Sequence, residues 1–321
     1  MNNWQIVTTA SYVPQMTVSN DRLSTIMDTS DEWIRTRTGI RRRHISQGEN
    51  TADLATQVGQ RLLAKAHWAP TSLDLIIIAT MSPDSYTPST AAIVQGFLGA
   101  TAARAFDVSA ACSGFVYALD IASRFIGSEC HRVMVIGSEV LSKITNWQDR
   151  TTAVLFGDGA GGVLIETDPE PHLLGQHLAT FGDRGNQLVA GQTRVNHQFP
   201  PTITDVSPFQ MNGRAVYRFA THAVPISIQT ALQNAGLTAD QVDRFILHQA
   251  NIRIIQQVAR RLVQPMTKFP TNIDQYGNTS AASEPILLDE CVRQGLIRRG
   301  DLVVLSGFGG GLTVGTMIIK Y

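Results

Sequence analysis

The two halves of the chain carry the same succession of an amphipathic segment, an aspartate and a short apolar run. Asp74 stands before such a run in the first half, and Asp243 stands before one in the second half, 169 positions later. A further apolar run at 133–137 is repeated at 302–306, again 169 positions later. Two matches at one offset indicate an internally duplicated fold.

The loop between the repeated strands is also repeated. The sequence Ser-Ala-Ala occurs at the start of 109–112 and again at the start of 280–283, at an offset of 171. Aligning these two loops predicts that Cys112 lies opposite Ser283. The residue type at the end of the loop therefore differs between the halves, so only the first half carries a thiol there.

Short apolar strands separated by helical patterns predict an α/β fold with largely buried strands. The duplication predicts two pseudo-equivalent α/β halves that pack together, residues 1–170 and 171–321. The alternative is two independent domains joined by a linker. The proline-rich stretch 168–171 marks the boundary in either case.

Charge and cysteine content exclude several classes of protein. Lys and Arg number 26, as do Asp and Glu, so no global field draws the chain onto nucleic acid or an anionic membrane. No apolar run approaches the roughly 20 residues that span a bilayer, and the N-terminus does not resemble a secretion signal. We therefore expect a cytoplasmic protein that binds neither nucleic acid nor membrane. Three cysteines without a CxxC pair argue against a disulfide framework or a structural zinc site.

Cys112 is the candidate nucleophile. It follows an apolar stretch and precedes the helical pattern that begins near Val116. At the start of a helix, the dipole and the free N–H groups are expected to lower the pKa of a thiol. The alternative is a small buried side chain with no chemical role. That structural interpretation is the one we adopt for Cys130 and Cys291, which have no comparable surroundings.

His248 and Asn278 are the candidate partners of the thiol. His248 comes directly after the apolar strand pattern 245–247, where α/β proteins assemble their sites. Asn278 lies in a turn-rich segment that corresponds to the loop of Cys112, and alone it would be an ordinary turn or helix-capping residue. The remaining histidines, among them His197, show no metal-ligand spacing, so we expect no metal site.

Two glycine-rich segments need separate interpretations. Residues 157–162 match GxGxxG, but the apolar strand pattern that follows excludes a dinucleotide site, which needs a helix there. Residues 307–311 end the last buried strand. Bare backbone at that point can approach a ligand or donate N–H groups to an oxyanion, although a plain tight turn is also consistent with it.

Taken together, these residues resemble the β-ketoacyl-acyl carrier protein synthase III family of the thiolase-like superfamily. The motifs that carry the resemblance are 28–34, 36–40, 110–115, 156–160, 248–251, 277–281 and 308–311. The resemblance implies a duplicated fold in α-β-α-β-α layers. The Cys-His-Asn set is similar to that of the initiating synthases, whereas the elongating synthases use Cys-His-His.

The resemblance implies a two-stage reaction. Cys112 attacks a short acyl-CoA while the backbone N–H groups of Cys112 and Gly310 hold the oxyanion. His248 and Asn278 then bind the thioester oxygen of malonyl-acyl carrier protein as it loses CO₂, and the carbanion attacks the acyl group on Cys112. The expected product is 3-oxoacyl-acyl carrier protein, which starts fatty acid synthesis. No cofactor is expected, since coenzyme A is part of the substrate.

The resemblance also implies binding residues and a homodimer. The residues expected to contact the coenzyme A substrate are Thr29, Trp33, Arg37, Thr87, Arg150, Phe156, Gly213, Ala250, Asn251 and Phe308. The residues expected to bind the acidic carrier protein are Arg218, Gln249, Ala250, Asn251, Ile252, Arg253, Arg260 and Arg261. Without the resemblance, the arginines among them would be a solvated helix face.

Two positions depart from the family pattern. Thr87 stands where many relatives carry phenylalanine, on a loop that in the family closes the acyl pocket of the partner subunit. We therefore expect a deeper pocket and tolerance of longer or more branched primers. Glu284 replaces an apolar residue and has no evident partner in the sequence. The alternatives to an initiating synthase are a condensing enzyme of secondary metabolism that uses another donor or carrier, and a non-catalytic acyl-CoA-binding relative.

Overall fold

The computed structural model describes residues 3–127, 129–193, 199 and 207–321. His197 lies outside these residues. The strands are β1 (Trp4–Tyr12), β2 (Thr17–Ser19), β3 (Arg42–His44), β4 (Leu75–Ala79), β5 (Arg104–Val108), β6 (Arg132–Glu139), β7 (Gly159–Thr167), β8 (Leu173–Thr180), β9 (Leu188–Val189), β10 (Gln210–Met211), β11 (Arg244–Leu247), β12 (Leu302–Gly309) and β13 (Thr313–Lys320).

The helices vary from one turn to six. They are α1 (Asn20–Ser24), α2 (Asp31–Thr38), α3 (Thr51–Ala66), α4 (Thr90–Leu98), α5 (Gly114–Phe125), α6 (Arg150–Ala153), α7 (Gly213–Ala235), α8 (Ile252–Arg261), α9 (Ile273–Tyr276) and α10 (Ser283–Arg293). Local sequence explains their ends. Asn50 and Asp53 form a capping box that starts α3, and Gly236 ends α7 with a left-handed φ of 67°.

Two mixed sheets share the same topology over four strands. The first has the order β1-β7-β6-β4-β5, and the second has the order β8-β13-β12-β11. Strand β4 runs parallel to β6 as β11 does to β12, and the remaining shared pairs are antiparallel. Strand β5, parallel to β4, has no counterpart among the described strands of the second sheet. The predicted duplication is confirmed. The segment 157–162 leads into strand β7, as its apolar pattern predicted, and not into a helix.

The hydrogen bonds give the spacing of the repeat strand by strand. The backbone N–H of Asp74 donates to the carbonyl of Arg132 (3.0 Å), and that of Asp243 donates to the carbonyl of Leu302 (2.9 Å). The aspartates are 169 positions apart, as predicted, but their partners are 170 apart. The predicted offset for the second strand pair was wrong by one residue, because apolar residues at successive positions of a buried strand look alike in sequence.

The elements form five layers, α-β-α-β-α. Helices α3 and α4 cover the outer face of the first sheet, and α7 and α8 cover the outer face of the second. Helices α5 and α10 form the layer between the sheets, with Phe115 and Leu288 in one continuous core. A Cβ on Gly161 would lie 2.6 Å from the nitrogen of Ile286, so α10 of the second half packs directly on β7 of the first. Two independent domains are therefore excluded.

Within the described residues, no helix is both long enough and apolar enough to cross a membrane.

Candidate active site

Cys112 lies in a single 3₁₀ turn between β5 and α5. We call Ala111–Ser113 the Cys112 turn. It starts with Ala111 at a φ of 46°, a left-handed conformation that a residue with a side chain rarely adopts. The hydroxyl of Ser113 donates to the carbonyl of Ala110 (2.8 Å) and is 2.7 Å from the hydroxyl of Thr313. Contacts from the second half therefore hold this strained turn in place.

A matching turn, Ser280–Ala282, precedes α10, and we call it the Ala281 turn. Ser280 has a φ of 47°, almost the same as Ala111, 169 positions earlier. Backbone geometry therefore places Ala281, and not Ser283, opposite Cys112. The predicted offset of 171 was wrong because it aligned identical Ser-Ala-Ala letters, whereas the shared feature is the left-handed residue at the start of each turn.

Each turn crosses to a strand of the other half, and a glycine makes room for it. A Cβ on Gly137 of β6 would lie 2.0 Å from the carbonyl oxygen of Ala281. A Cβ on Gly307 of β12 would lie 3.0 Å from the carbonyl oxygen of Cys112, and one on Gly309 would lie 2.8 Å from its nitrogen. Any side chain at these positions would displace the turns. The end of β12 thus positions the thiol.

His248 lies where β11 ends, as predicted, with its side chain buried. Its backbone N–H donates to the carbonyl of Ser306 (2.9 Å) on β12. The imidazole meets the ring of Phe308 edge to face, with 5.1 Å between the ring centroids. The imidazole Nδ1 has no hydrogen-bond partner among the described residues, so a bound substrate would not have to displace an internal bond to it.

Asn278 sits in a turn held on three sides. Its N–H donates to the carbonyl of Leu155 (2.9 Å), and its carbonyl accepts from Gly157 (3.0 Å). Its side-chain oxygen accepts from the N–H of Ser280 (2.9 Å). Because the oxygen is engaged, the amide nitrogen is the group left to donate from this side chain. Of the two ordinary interpretations, the structure shows the turn residue and not the helix cap, since Thr279 is the residue before the Ala281 turn.

One cavity of about 200 Å³ brings the three candidate residues together. Cys112, His248 and Asn278 all line it, which the sequence could propose only through the duplication. Other predicted residues that line it are Trp33, Arg37, Phe156, Gly213, Ala250, Asn251 and Phe308. Gly309 lines it too, whereas Gly310 borders a neighbouring cavity of about 580 Å³ beside Ala110.

The mouth of this cavity carries an aromatic ring with two cations near it. The guanidinium carbons of Arg37 and Arg150 lie 4.6 Å and 5.4 Å from the ring centroid of Trp33. Arg150 also pairs with the exposed carboxylate of Asp28 (2.9 Å). An indole face flanked by guanidinium groups suits a flat ring with phosphates attached.

Several predicted binding residues lie away from the cavity. Thr87 is exposed on the loop after β4, and Thr29 is half-buried before α2. Arg253, Arg260 and Arg261 are exposed on α8.

Gln249 corrects the predicted carrier-binding surface. It is 1% exposed. Its amide nitrogen donates to the carbonyl of Leu247 (2.8 Å), and its amide oxygen accepts from the N–H of Asn272 (3.2 Å). A side chain that is buried and internally bonded cannot contact a docked protein. Gln249 supports the loop after β11 from beneath.

The thiol and the imidazole are both uncharged at neutral pH. Burial raises the pKa of Cys112 to about 12, and the Ser280 hydroxyl lowers it only in part. Burial lowers the pKa of His248 to about 3. The prediction of a depressed thiol pKa was therefore wrong in sign, because the cost of burying a charge exceeds the benefit of a helix start. The site holds a neutral thiol beside a neutral imidazole.

Two buried acids complete the surroundings of Cys112. Glu139, at the end of β6, accepts hydrogen bonds from Ser82 and Thr80, and burial raises its pKa to about 7. Glu284 is fully buried, and burial raises its pKa well above the usual range. Both carboxyls raise the pKa of Cys112. Sequence analysis overlooked Glu139, although an acid directly after a buried strand was a usable signal.

Known sequence families match both halves. The family described as 3-oxoacyl-[acyl-carrier-protein (ACP)] synthase III matches residues 106–182, and its C-terminal family matches residues 232–321. A curated relative from Limosilactobacillus reuteri, named beta-ketoacyl-[acyl-carrier-protein] synthase III, is 60% identical over 324 residues and is aligned over 100% of both chains.

Solved structures give the same result. The 3-oxoacyl-[acyl-carrier-protein] synthase III from Aquifex aeolicus VF5 superposes with a TM-score of 0.93 at 41% identity, over 99% of this chain and 100% of that one. The priming beta-ketosynthase of the R1128 polyketide biosynthetic pathway superposes with a TM-score of 0.91 at 31% identity, over 99% of this chain and 96% of that one.

Proposed function

The chain belongs to the 3-oxoacyl-[acyl-carrier-protein] synthase III family, a family of condensing acyltransferases, and we propose that Cys112, His248 and Asn278 carry out its reaction here. The substrates are a short or medium acyl-CoA and malonyl-acyl carrier protein, and the product is 3-oxoacyl-acyl carrier protein. The observation that carries this assignment is that all three side chains line one cavity beneath an aromatic and cationic mouth.

In the first stage the Cys112 sulfur attacks the thioester carbon of the acyl-CoA. The new bond is an Sγ–C bond, the C–S bond to coenzyme A breaks, and the thiol proton leaves with the coenzyme A thiol. Because Cys112 is protonated at rest, a base must take its proton during attack. The imidazole of His248 lines the same cavity and is uncharged, so we propose it as the proton acceptor, although burial lowers its pKa and weakens it as a base. Backbone N–H groups of Cys112 and Gly310 are proposed to hold the oxyanion.

In the second stage the malonyl group loses CO₂, and the electron pair of the broken C–C bond forms an enolate. A neutral imidazole N–H and the amide nitrogen of Asn278 are proposed to donate to the enolate oxygen. Two neutral donors suit this step, since they stabilise the charge without a strong acid that would protonate the carbon. The carbon then attacks the acyl group, the Sγ–C bond breaks, and Cys112 leaves as the thiolate. It takes one proton from solvent, because its own proton left with coenzyme A in the first stage. No step calls for a resident cofactor.

Coenzyme A is proposed to enter at Trp33, with its adenine between the indole and Arg150 and its phosphates toward Arg37. The pantetheine arm would pass Phe156, Gly213, Ala250, Asn251 and Phe308, with Thr29 at the mouth. The exposed arginines of α8, together with Arg218, Ala250, Asn251 and Ile252, are proposed to steer an acidic carrier protein. Since its two substrates are cytoplasmic, we propose the same location for the enzyme.

A homodimer is part of the proposal. Strand β5 is at the edge of the first sheet, and its outer side pairs with no described strand. Beside it, Phe106 and the half-exposed Phe125 place their rings 5.9 Å apart. An unpaired edge next to exposed aromatic rings is suited to pairing with a second copy. In such a dimer Thr87 is proposed to close the partner's acyl pocket, where its small size would admit longer or branched primers.

The first experiment is mass spectrometry of the intact protein and its peptides after incubation with straight and branched acyl-CoAs. The expected adduct lies on the Cys112 peptide and disappears when malonyl-acyl carrier protein is added. Cys112→Ala should form no adduct, whereas Cys130→Ala removes another buried thiol and should behave like the wild type. No adduct from any acyl-CoA would refute the first stage.

The same assay tests the primer and the carrier. Faster acylation by branched or longer acyl-CoAs than by acetyl-CoA is expected from Thr87, and equal or slower acylation would contradict that role. Release of the adduct by malonyl-CoA alone would favour the alternative, a condensing enzyme of secondary metabolism. The similarity to the R1128 priming ketosynthase makes that alternative worth testing.

A further inference from the structure

Glu284 is a buried acid that the proposed reaction does not use. It is the second residue of α10 and is 0% exposed. Neither carboxyl oxygen has a hydrogen-bond partner among the described residues. An ionised carboxylate in such a place would bear the full cost of desolvation, so the group is stable there only as the neutral acid.

The hollow left by Gly307 holds both this carboxyl and the Cys112 turn. A Cβ built on Gly307 would lie 2.4 Å from a carboxyl oxygen of Glu284, 2.8 Å from the Cα of Ser113 and 3.0 Å from the carbonyl oxygen of Cys112. The carboxyl and the peptide of the nucleophile therefore border the same small space. Both Glu284 and Ser113 are 0% exposed, so this space is in the interior of the protein.

The titratable groups on the elements around Glu284 are few. They are Cys112 on the Cys112 turn, Glu139 at the end of β6, and His248 directly after β11. Asp289 and Glu290 lie further along α10 and hold their own partners. Among the described residues no cation acts on the Glu284 carboxyl, so nothing would compensate a charge there except a change at Cys112.

We propose that Glu284 works as a neutral acid beneath Cys112, and that its ionisation at alkaline pH suppresses formation of the Cys112 thiolate. It acts through Cys112 and is therefore a positioning residue. This inference rests on the proposed function only in taking Cys112 as the nucleophile. While Glu284 is uncharged, the thiol loses its proton without a second like charge in addition to that of Glu139. Once it is ionised, the two charges repel across the Gly307 hollow.

The consequence is a distinctive pH profile for Cys112. The fraction of a thiol present as thiolate rises about tenfold per pH unit below its pKa. If Glu284 ionises within that range, the rise becomes shallower, because each ionised carboxylate raises the pKa of the neighbouring thiol. A variant that cannot ionise at position 284 keeps the full slope.

The experiment measures the rate of Cys112 alkylation by iodoacetamide in the full-length protein from about pH 6 to about pH 10. The variants are Glu284→Gln and Glu284→Leu, two neutral replacements of different polarity, so that one remains informative if the other fails to fold. Glu166→Gln removes the same charge from the outer part of β7 and serves as the matched control. Peptide mass spectrometry confirms that Cys112 is the alkylated residue.

The expected result is a ratio of variant to wild-type rate near one at about pH 6 that grows to roughly tenfold by about pH 10, one pKa unit of Cys112. Glu166→Gln should keep a ratio near one throughout. A ratio that does not change with pH would overturn the proposal, and so would a large ratio already present at the lowest pH, which would mean that Glu284 is ionised there.

Acylation by acyl-CoA, measured in parallel, distinguishes a failure of the proposed function from a failure of the proposed role of Glu284. A wild-type protein that is alkylated with the expected profile but never acylated would refute the proposed function and leave the role of Glu284 intact. Normal acylation together with identical alkylation profiles for the wild type and both Glu284 variants would refute the role of Glu284 and leave the proposed function intact.

Discussion

Replacing Gly309 by alanine is expected to disable Cys112 while leaving its chemistry in place. A Cβ on Gly309 would lie 2.8 Å from the nitrogen, 2.9 Å from the Cβ and 3.3 Å from the Cα of Cys112. These atoms belong to the backbone or are fixed to it, so no flexible side chain can move aside. Restoring contacts of about 3.5 Å requires the Cys112 turn and β12 to separate by more than about half an ångström.

The expected losses of stability and of acylation rate follow from that displacement. Overpacking of a close-packed interior lowers the free energy of unfolding by about 1–3 kcal/mol. Each kcal/mol lowers Tm by about 2–4 °C in chains somewhat smaller than this one. A displacement of about 1 Å at a reacting group costs up to roughly 10²-fold in rate. We therefore expect Gly309→Ala to lower the acylation rate far more than its modest loss of stability would suggest.

The assay follows acyl-Cys112 formation by intact mass, with thermal unfolding of the same samples. Gly310→Ala is the neighbouring control, since its Cβ would lie 3.3 Å from the Cβ of Ala111 and at ordinary contact distances of 3.6 Å and 3.8 Å from Leu188, and its N–H is kept. Gly96→Ala, within α4 and with no atom closer than 4 Å, should stabilise by about 0.5–1 kcal/mol. Wild-type acylation by Gly309→Ala, with unchanged Tm, would refute the steric reasoning.

Three further predictions concern stability, the histidine and the entrance. Burial raises the pKa of Asp289, but two hydroxyls and two cations outweigh it and leave that pKa lowered, so its contribution is present at neutral pH and lost as pH falls through the folded-state pKa. Asp289→Asn should therefore cost about 1–3 kcal/mol in urea unfolding at neutral pH and much less near pH 3; an equal cost at both would contradict this. Phe308→Leu removes the edge-to-face contact to His248, worth about 1 kcal/mol, and should slow condensation by several-fold more than acylation in single-turnover kinetics. Trp33→Ala should raise the KM for acyl-CoA about tenfold with little change in kcat, and a fall in kcat alone would count against its placement at the entrance.

The sequence predicted the architecture well because the apolar runs of buried strands recur in the two halves of the chain. Each apolar run and each aspartate before it has a counterpart in the other half, so the duplication could be found without a structure. His248 was placed correctly for the same reason, since it follows a strand of four residues that is easily recognised. Similar residues in the two halves did not determine how the halves align residue by residue. The predicted alignment was wrong by one residue for β12 and by two for the Ala281 turn.

The electrostatics of the site could not be predicted from local sequence. A cysteine before a helix suggests a lowered pKa, but the burial that reverses the shift comes from β12 and α10, which are far away in the chain. Gln249 shows the same limit. The resemblance implied a surface role for it, whereas its amide group holds two loops together in the interior.

The duplication itself explains why the site lies where it does. Each turn reaches across to a strand of the opposite half, and the glycines that admit them, Gly137 and Gly307, stand 170 positions apart, the offset of the strands that carry them. Such a crossing is symmetric in backbone but not in chemistry, because one turn presents Cys112 and the other presents Ala281. The second turn instead holds the side chain of Asn278 through its first N–H. A reactive centre built on this crossing exists only while both halves are in register, so we expect acylation to fail at lower urea concentrations than those that unfold the helices.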